Sequence, residues 1–326
     1  MTNDRFDFTD LRSSIEQESF SDHVRDGLLR DQKQLSPRFL YDERGSELFE
    51  QITHLPEYYP YDAERNILET RPEDIVSHFG EDGALIELGS GNADKTETLI
   101  REASRTRDQV HFVPVDISGD FLRASSKELL QKYENLTISA IAGTYEASLS
   151  EMPETQGSRL ILFLGGSIGN YQPERARTLM RQIAERMTSG DRLMVGIDLL
   201  KDPDVIERAY NDEAGVTATF NKNILRRMNQ ELNASFDLDT FRHHAPFVDE
   251  KKRIEMRLVS IREQTVSIPA IDEYVHFEDG EYIHTESSHK FNPESFQDVY
   301  DHTGLRMEEI LYDDSEQFAE VILGLD

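Results

Sequence analysis

The first residues in this 326-residue chain whose spacing suggests chemistry are two glycines and an acid at the ends of consecutive apolar runs. Glu87-Leu88-Gly89-Ser90-Gly91-Asn92-Ala93-Asp94-Lys95 follows the run at 84–88 and opens a polar, helical stretch. Glycines there let the backbone turn tightly and approach a ligand, and a helix start offers unpaired N–H groups. Asp116 ends the next apolar run, where a carboxylate can accept hydrogen bonds from a ribose diol. The motif is not a dinucleotide fingerprint, because Asp94 stands where the third glycine belongs, and it lacks the Gly-Lys-Ser/Thr ending of a P-loop. A nicotinamide-dependent oxidoreductase is therefore disfavoured. Phe163-Leu164-Gly165-Gly166-Ser167-Ile168-Gly169-Asn170 ends a later run. Asn170 carries both donors and an acceptor, suited to the carboxylate or amine of a zwitterion. Arg208-Ala209-Tyr210 and Thr285-Glu286-Ser287-Ser288-His289-Lys290-Phe291 add polar groups, although alone the first reads as amphipathic packing and the second as a solvated loop.

These residues need elements to hold them. Short apolar runs at 84–88, 110–117, 136–143, 159–166 and 192–200 alternate with helical stretches near 94–107, 119–133 and 173–188. That alternation predicts βαβ units and a parallel sheet. After Leu200 the texture changes to a long helical stretch interrupted near Gly215, then alternating segments at 254–261 and 274–284, the latter split by a hairpin-like Asp279-Gly280. Asn292-Pro293 reads as a cap and first helical residue, and two more strand-like segments follow, as an antiparallel edge hairpin requires. Two domains are expected: 61–199 with 290–326, and 1–60 with 200–289. Lys and Arg number 35 against 64 Asp and Glu, a net charge of −29, which argues against nucleic-acid and anionic-membrane partners. With no Cys there are no disulfides, thiolate metal sites or Cys nucleophiles. Among 10 His the adjacent His243-His244 cannot share a face, and no His-x-x-x-His occurs, so no metal is expected. The start, MTNDRFDFTD, does not look like a leader, and no apolar run nears ~18 residues, so a cytoplasmic protein is expected.

Acidic-x-Gly-x-Gly followed by a ribose-binding acid resembles the class I S-adenosylmethionine-dependent methyltransferases. A larger set of motifs is more specific. Tyr41-Asp42-Glu43-Arg44-Gly45-Ser46, LPEYYP at 55–60, ELGSGNADKT, FLGGSIGNY, AYNDEAGVTATFNKN, RIEMRL and TESSHKF occur in one order. Together, from about Ser36 onward, they closely resemble the histidine-specific Nα-methyltransferase family of ergothioneine biosynthesis. The resemblance implies an α/β fold: a Rossmann-like class I methyltransferase sheet, mostly parallel with an antiparallel edge hairpin, and a second α+β domain for the substrate. It implies trimethylation of the α-amino group of L-histidine to hercynine, with S-adenosylmethionine as co-substrate; a monomer is expected. By the same resemblance Gly89, Ser90, Gly91, Lys95 and Gly165 line the cofactor site, Asp116 meets the ribose, and Thr144 and Tyr145 lie beside the adenine. Asn170 and Tyr210 hold the substrate's α-amino and carboxylate groups, Tyr58 sits beside the amine, and Tyr41 and Phe49 wall the pocket; on chemical grounds the Tyr58 hydroxyl, directly or through water, is the candidate proton acceptor, with release from a desolvated amine to water as the alternative. Glu286 and Ser288 bind the imidazole, Ser287 between them also belongs to the substrate site, and Met256 packs against the ring. One departure is Gly143-Thr144-Tyr145 where the family pattern has Gly-Asp-Phe.

Two other readings stay open on the residues alone. One is an N-methyltransferase for another amino acid or small amine; the other is a non-catalytic S-adenosylmethionine sensor, which needs no grip on an amino acid.

Overall fold

In the computed structural model, residues 5–12 and 19–326 are described. Residues 1–4 and 13–18 of the expected segment 1–60 lie outside them. The chain divides into two compact units, 1–16 with 60–199 and 291–326, and 17–59 with 200–290. Among the described residues no helix is long and apolar enough to cross a membrane.

The first unit begins with β1 (Phe6–Asp10), followed by β2 (Leu85–Leu88), β3 (Val110–Asp116), β4 (Leu136–Ala142), β5 (Leu160–Phe163) and β6 (Arg192–Asp198). Helices Glu97–Thr106, Gly119–Lys132 and Pro173–Ala184 fall between these strands, close to the positions that the sequence periodicity predicts. The central strands are apolar nearly throughout because both their faces are covered. In β5, Leu160 and Leu162 belong to one core, while Ile161 and Phe163 belong to the other.

The second unit carries β7 (Phe241–His244), β8 (Phe247–Val248), β9 (Arg253–Ser260), β10 (Gln264–Ile268), β11 (Glu273–Phe277) and β12 (Tyr282–His289). The order β12-β9-β7 forms one antiparallel sheet, β10-β11 a separate ribbon. Helix Val216–Glu231 starts after Gly215, which takes a left-handed φ of 74°, the interruption seen in the sequence. Its core gathers Val24, Leu40, Ile52, Phe220, Met256 and Ile283.

The chain rejoins the first unit at Phe291. Helix Pro293–Tyr300 has a full capping box on Asn292, and β13 (Leu305–Tyr312) and β14 (Phe318–Leu325) complete the sheet. The sheet order is β1-β4-β3-β2-β5-β6-β14-β13, parallel through β6, with β14 and β13 antiparallel. This is the expected Rossmann-like methyltransferase sheet with its edge hairpin.

Two expectations need correction. The chain before residue 17 was grouped with the second domain, but β1 pairs in parallel with β4, Phe6 opposite Ile138, and Phe6 and Phe8 pack on the sheet's core. The segments around Asp279-Gly280 are not a paired hairpin: β11 pairs with β10, and β12 with β9. The turn is real, with Gly280 at φ 85°, but each strand finds its partner elsewhere.

The amino ends of β5 and β6 are tied by a buried ion pair. Asp191 accepts from Arg159 Nη2 at 2.6 Å, and from the backbone N–H groups of Arg159 and Thr188 at 2.7 Å each. Removing one partner strands the other charge, so Asp191→Ala is expected to cost about 3–5 kcal/mol in denaturant unfolding, with residual activity at low temperature unchanged. A loss below about 1 kcal/mol would show that the pair is solvated in solution.

Candidate functional site

In the first unit the turn after β2 is built around glycine conformations. Gly89 and Gly91 take φ of 81° and 52°, disfavoured for side-chain-bearing residues. A Cβ on Gly89 would lie 2.6 Å from the Tyr145 hydroxyl, while one on Gly91 would meet nothing within 4 Å, so open space lies above that turn. Asp116, at the end of β3, accepts from the N–H of Gly91 at 3.0 Å and of Ser118 at 2.8 Å. Burial raises its pKa, with these N–H groups opposing. Glu87 is buried; burial pushes its carboxyl up to about 8, opposed by nearby Thr96 and Ser90, and its Oε2 has no hydrogen-bond partner. Ser90 Oγ is likewise buried without a partner.

Lys95 pairs with the fully buried Glu64, whose other oxygen accepts from the N–H of Gly165. Burial lowers the Lys95 ammonium to about 8, with Glu320 opposing. The same burial pushes Glu320 up to about 8, Lys95 opposing, and both its oxygens lack partners. Tyr145 starts helix Tyr145–Leu149 and stacks edge-on against Phe163 at 5.4 Å, while Thr144 Oγ1 caps that helix by accepting from Ala147 N at 3.3 Å. Asn170, half-buried, ends a single helical turn, Ser167–Asn170, launched from Gly166 at φ 63°.

In the second unit an aromatic cluster and one sheet face converge. Tyr41 lies edge-on to Phe49 at 5.4 Å and to Phe220 at 5.3 Å; Tyr58 lies edge-on to Phe49 at 6.3 Å and to Tyr210 at 6.1 Å. Asp42 fixes the entry to helix Glu43–Thr53, accepting from Gly45 N at 2.8 Å and Asn223 Nδ2 at 2.7 Å. A Cβ on Gly45 would fall 1.7 Å from Leu40 O, which accounts for the glycine of the Tyr41–Ser46 motif.

The sheet face depends on a slip in register. β12 pairs with β9 so that His284 opposes Arg257 but Glu286 opposes Met256, leaving Thr285 as a bulge. Opposed residues share a face, so Glu286 and Ser288 stand beside Met256 and Ile254 on one side, His284 and Ser287 beside Arg257 and Glu255 on the other. Ser287 is thus a correction: its hydroxyl meets His284 Nε2 at 3.0 Å on the face away from Glu286.

The two faces each carry a buried acid in opposite electrostatic states. Burial pushes Glu255 up, but Arg253, Arg257 and Lys251, at 2.5, 2.7 and 3.0 Å, outweigh it and hold the carboxyl at about 2. Glu286, 6% exposed, has only the partial opposition of Lys290, and burial pushes it up to about 7. Its Oε2 has no partner. An orphaned acceptor of this kind costs ~1–3 kcal/mol, so Glu255 reads as structural and Glu286 as waiting for a donor.

The family model for histidine-specific, S-adenosylmethionine-dependent methyltransferases matches residues 20–325. The chain belongs to this family. It is 42% identical over 284 residues to the histidine N-alpha-methyltransferase of Mycolicibacterium smegmatis, covering 87% of this chain and 88% of the relative. The counterpart of Mycobacterium tuberculosis is also 42% identical, over 83% and 84% of the two chains. Ergothioneine biosynthesis protein 1 of Schizosaccharomyces pombe is 34% identical over 60% of this chain and 26% of its own length. The enzyme is thus an S-adenosylmethionine-dependent histidine methyltransferase.

The sheet unit fits that co-substrate. Gly91 leaves open space above the turn, buried polar atoms of Glu87 and Ser90 lack partners beside it, and Asp116 is held at the end of β3. Gly89, Ser90, Gly91, Asp116, Thr144 and Tyr145 gather there, and Lys95 with Gly165 is tied in through Glu64. Tyr41, Phe49, Tyr58, Tyr210, Met256, Glu286 and Ser288 belong to the second unit, and Asn170 to the first. Sequence reasoning missed Glu64, Glu320, Phe220 and Lys290. Glu320 had a signal, an acid inside the apolar run FAEVILGL, and Lys290 stands two residues past Ser288 in strand alternation. Among the described residues no group of three or more His, Cys, Asp or Glu could hold a metal ion.

Gly89→Ala combines a strained φ with a clash, so S-adenosylhomocysteine affinity in calorimetry is expected to fall more than about tenfold, from ~1–2 kcal/mol of strain plus the displaced Tyr145. Adding Tyr145→Phe should recover part of the loss; no recovery would remove the hydroxyl from the explanation. A second expectation concerns Glu286. Because its folded pKa is raised, its favourable contribution is complete below the ordinary carboxylate range and is lost as pH rises through about 7. Glu286→Gln should therefore melt above wild type at pH about 8 by a few degrees, from a shift equivalent to about 3 kcal/mol, with the gap closing towards pH about 4.5. Equal melting temperatures at both pH values would mean that the carboxyl is solvated.

Proposed function

We propose that the enzyme transfers three methyl groups in succession from S-adenosylmethionine to the α-amino nitrogen of L-histidine, giving the betaine hercynine as the first step towards ergothioneine. The observation that carries this reading is the bare Oε2 of buried Glu286, beside Ser288, in a face otherwise lined by Met256 and Ile254. That acceptor asks for an N–H on a flat side chain, and imidazole supplies one with a second nitrogen left for a hydroxyl. A phenyl or isobutyl side chain would leave these groups unpaired, a mismatch worth several orders of magnitude in selectivity. We assign the co-substrate to the sheet unit and imidazole recognition to the second unit. In the cell we place the enzyme in the cytoplasm as a monomer acting on the free amino acid, without nucleic-acid or membrane partners, in keeping with its charge of −29.

The sulfonium supplies an electrophilic methyl group; the chain's residues orient the acceptor and manage its proton. In this reading Asn170 and Tyr210 hold the α-amino and carboxylate groups, the Tyr210 oxygen accepting from the amine because its own hydrogen goes to Ser288, and the ammonium proton leaves through the Tyr58 hydroxyl, directly or by way of water, or to water alone. The rings of Tyr41, Phe49 and Phe220 keep the surroundings apolar, which lowers an ammonium's pKa and favours the neutral nucleophile. Apolar walls also accept added methyl groups without losing hydrogen bonds.

Incubating the enzyme with S-adenosylmethionine and each standard amino acid in turn, and weighing the products, tests this. A gain of three methyl groups on histidine alone is expected. In Glu286→Ala the KM for histidine should rise at least tenfold while aromatic amino acids begin to react. A wild-type gain on a different amino acid, or unchanged selectivity in the variant, would overturn the imidazole assignment.

A further inference from the structure

Lys290 has no role in the reaction as described, yet it is 2% exposed, among the most completely buried long side chains of the molecule. It lies one position past the end of β12, two residues after Ser288. Its Nζ donates to Tyr210 Oη at 2.9 Å and to Ser288 Oγ at 2.9 Å, and lies 4.7 Å from the centre of the Tyr210 ring. Tyr210 Oη in turn donates to Ser288 Oγ at 2.9 Å. The three groups form a closed triangle, and its hydrogen-bond directions have a consequence. A serine hydroxyl has one hydrogen and two lone pairs. Ser288 receives a hydrogen from Lys290 and another from Tyr210, so both lone pairs are occupied and only its own hydrogen is left for a ligand.

We infer that Lys290 is a positioning residue that makes Ser288 an obligate donor, so that the pocket accepts histidine with a neutral ring, its bare nitrogen towards Ser288 and its N–H towards Glu286. This rests on the imidazole reading above and deepens it. A neutral imidazole satisfies both ends: the N–H meets the orphaned Glu286 Oε2, and the bare nitrogen accepts from Ser288. An imidazolium carries two N–H groups and no acceptor. One of them would meet a hydroxyl with no lone pair to offer, beside the Lys290 ammonium.

Several titratable groups of the described residues stand near Ser288. Glu286 comes from β12, Lys290 from the position just after its last residue and Tyr210 from helix Pro203–Tyr210, while the positions on β9 opposite Glu286 and Ser288, Met256 and Ile254, carry no charge. His243 stands behind Tyr210, its Nε2 at 2.8 Å from the Tyr210 carbonyl oxygen, and burial lowers its pKa.

The test compares two ligands that share everything except ring basicity. Enzyme saturated with S-adenosylhomocysteine is titrated calorimetrically with L-histidine and with L-β-(1,2,4-triazol-3-yl)alanine, whose ring keeps an N–H and a bare nitrogen but is far less basic. The α-amino group, the carboxylate and the titration of Glu286 or His243 affect both ligands alike, so the ratio of affinities isolates protonation of the ligand ring. With a side-chain pKa of about 6.5, histidine should lose about tenfold relative to the triazole between about pH 8 and about pH 5.5. In Lys290→Met, where Ser288 regains a lone pair and the ammonium is gone, the ratio should change by less than about threefold, and Tyr210→Phe, lacking the other donor, should move the same way. Retained S-adenosylhomocysteine binding certifies the fold of each variant.

A wild-type ratio that stays flat would overturn the neutral-ring inference whether or not the variants fold. A full tenfold change persisting in both variants would remove Lys290 and Tyr210 from it. Loss of both ligands equally at every pH in Lys290→Met would show that this lysine holds the amino acid's carboxylate instead. Failure of either ligand to bind wild-type enzyme at pH about 8 would count against the histidine reading itself.

Discussion

A carboxylate kept out of water must find donors or take up a proton, and most of the second unit can be understood as the management of that constraint at Glu286. The pairing of β9 with β12 solves the same problem twice in opposite ways. On one face Glu255 is surrounded by three cations and is ionised far below the usual range. On the other, Glu286 is held among apolar neighbours with an oxygen unpaired. The stability forgone at Glu286 is recovered only when a ligand brings an N–H, which is how a binding site converts strain in the free protein into selectivity. Thr285 makes the difference possible: its bulge, anchored by a 2.6 Å hydrogen bond to Asn221, turns Glu286 towards Met256 and away from the arginines.

Much of the sheet was legible because its strands are buried on both sides and so read as unbroken apolar runs. The glycine turn and Asp116 were legible because only a few residue types serve such positions. β1 was not, since FDFTD offers two apolar side chains in five residues and gains its place by hydrogen-bonding to β4. The pairing around Asp279-Gly280 failed for a similar reason: a turn is local, but the choice of strand partner is not. Ser287 was misplaced because plain strand alternation already sets it opposite Glu286 and Ser288; the bulge at Thr285, which nothing in the residue types announces, decides instead which face receives Glu286.

The departure at Thr144 and Tyr145 also takes on physical meaning. Thr144 keeps a capping function through its hydroxyl, an ordinary use of threonine at a helix start. The Tyr145 hydroxyl lies over Gly89, and the glycine is needed both for its backbone angle and for the room that this phenol occupies. The buried acids Glu64 and Glu320 show a related economy: Lys95 is paired with the first and feels the charge of the second, which favours a cation at the carboxyl end of the sheet.

The position of β14 in the sheet has a consequence for synthesis of the chain. β14 lies between β6 and β13, with Phe318 opposite Asp198, and the whole second unit intervenes in sequence between β6 and β14. A ribosome extending the chain by about 5–20 residues per second therefore exposes the bare edge of β6, with Leu193, Val195 and Ile197, for several seconds or more before its neighbour emerges. During that interval the second unit, whose residues from 200 onward are continuous, has its chance to fold, while the sheet waits for its last strands. The edge of β6 therefore stays unpaired for longer than it would in a sheet whose strands pair in chain order.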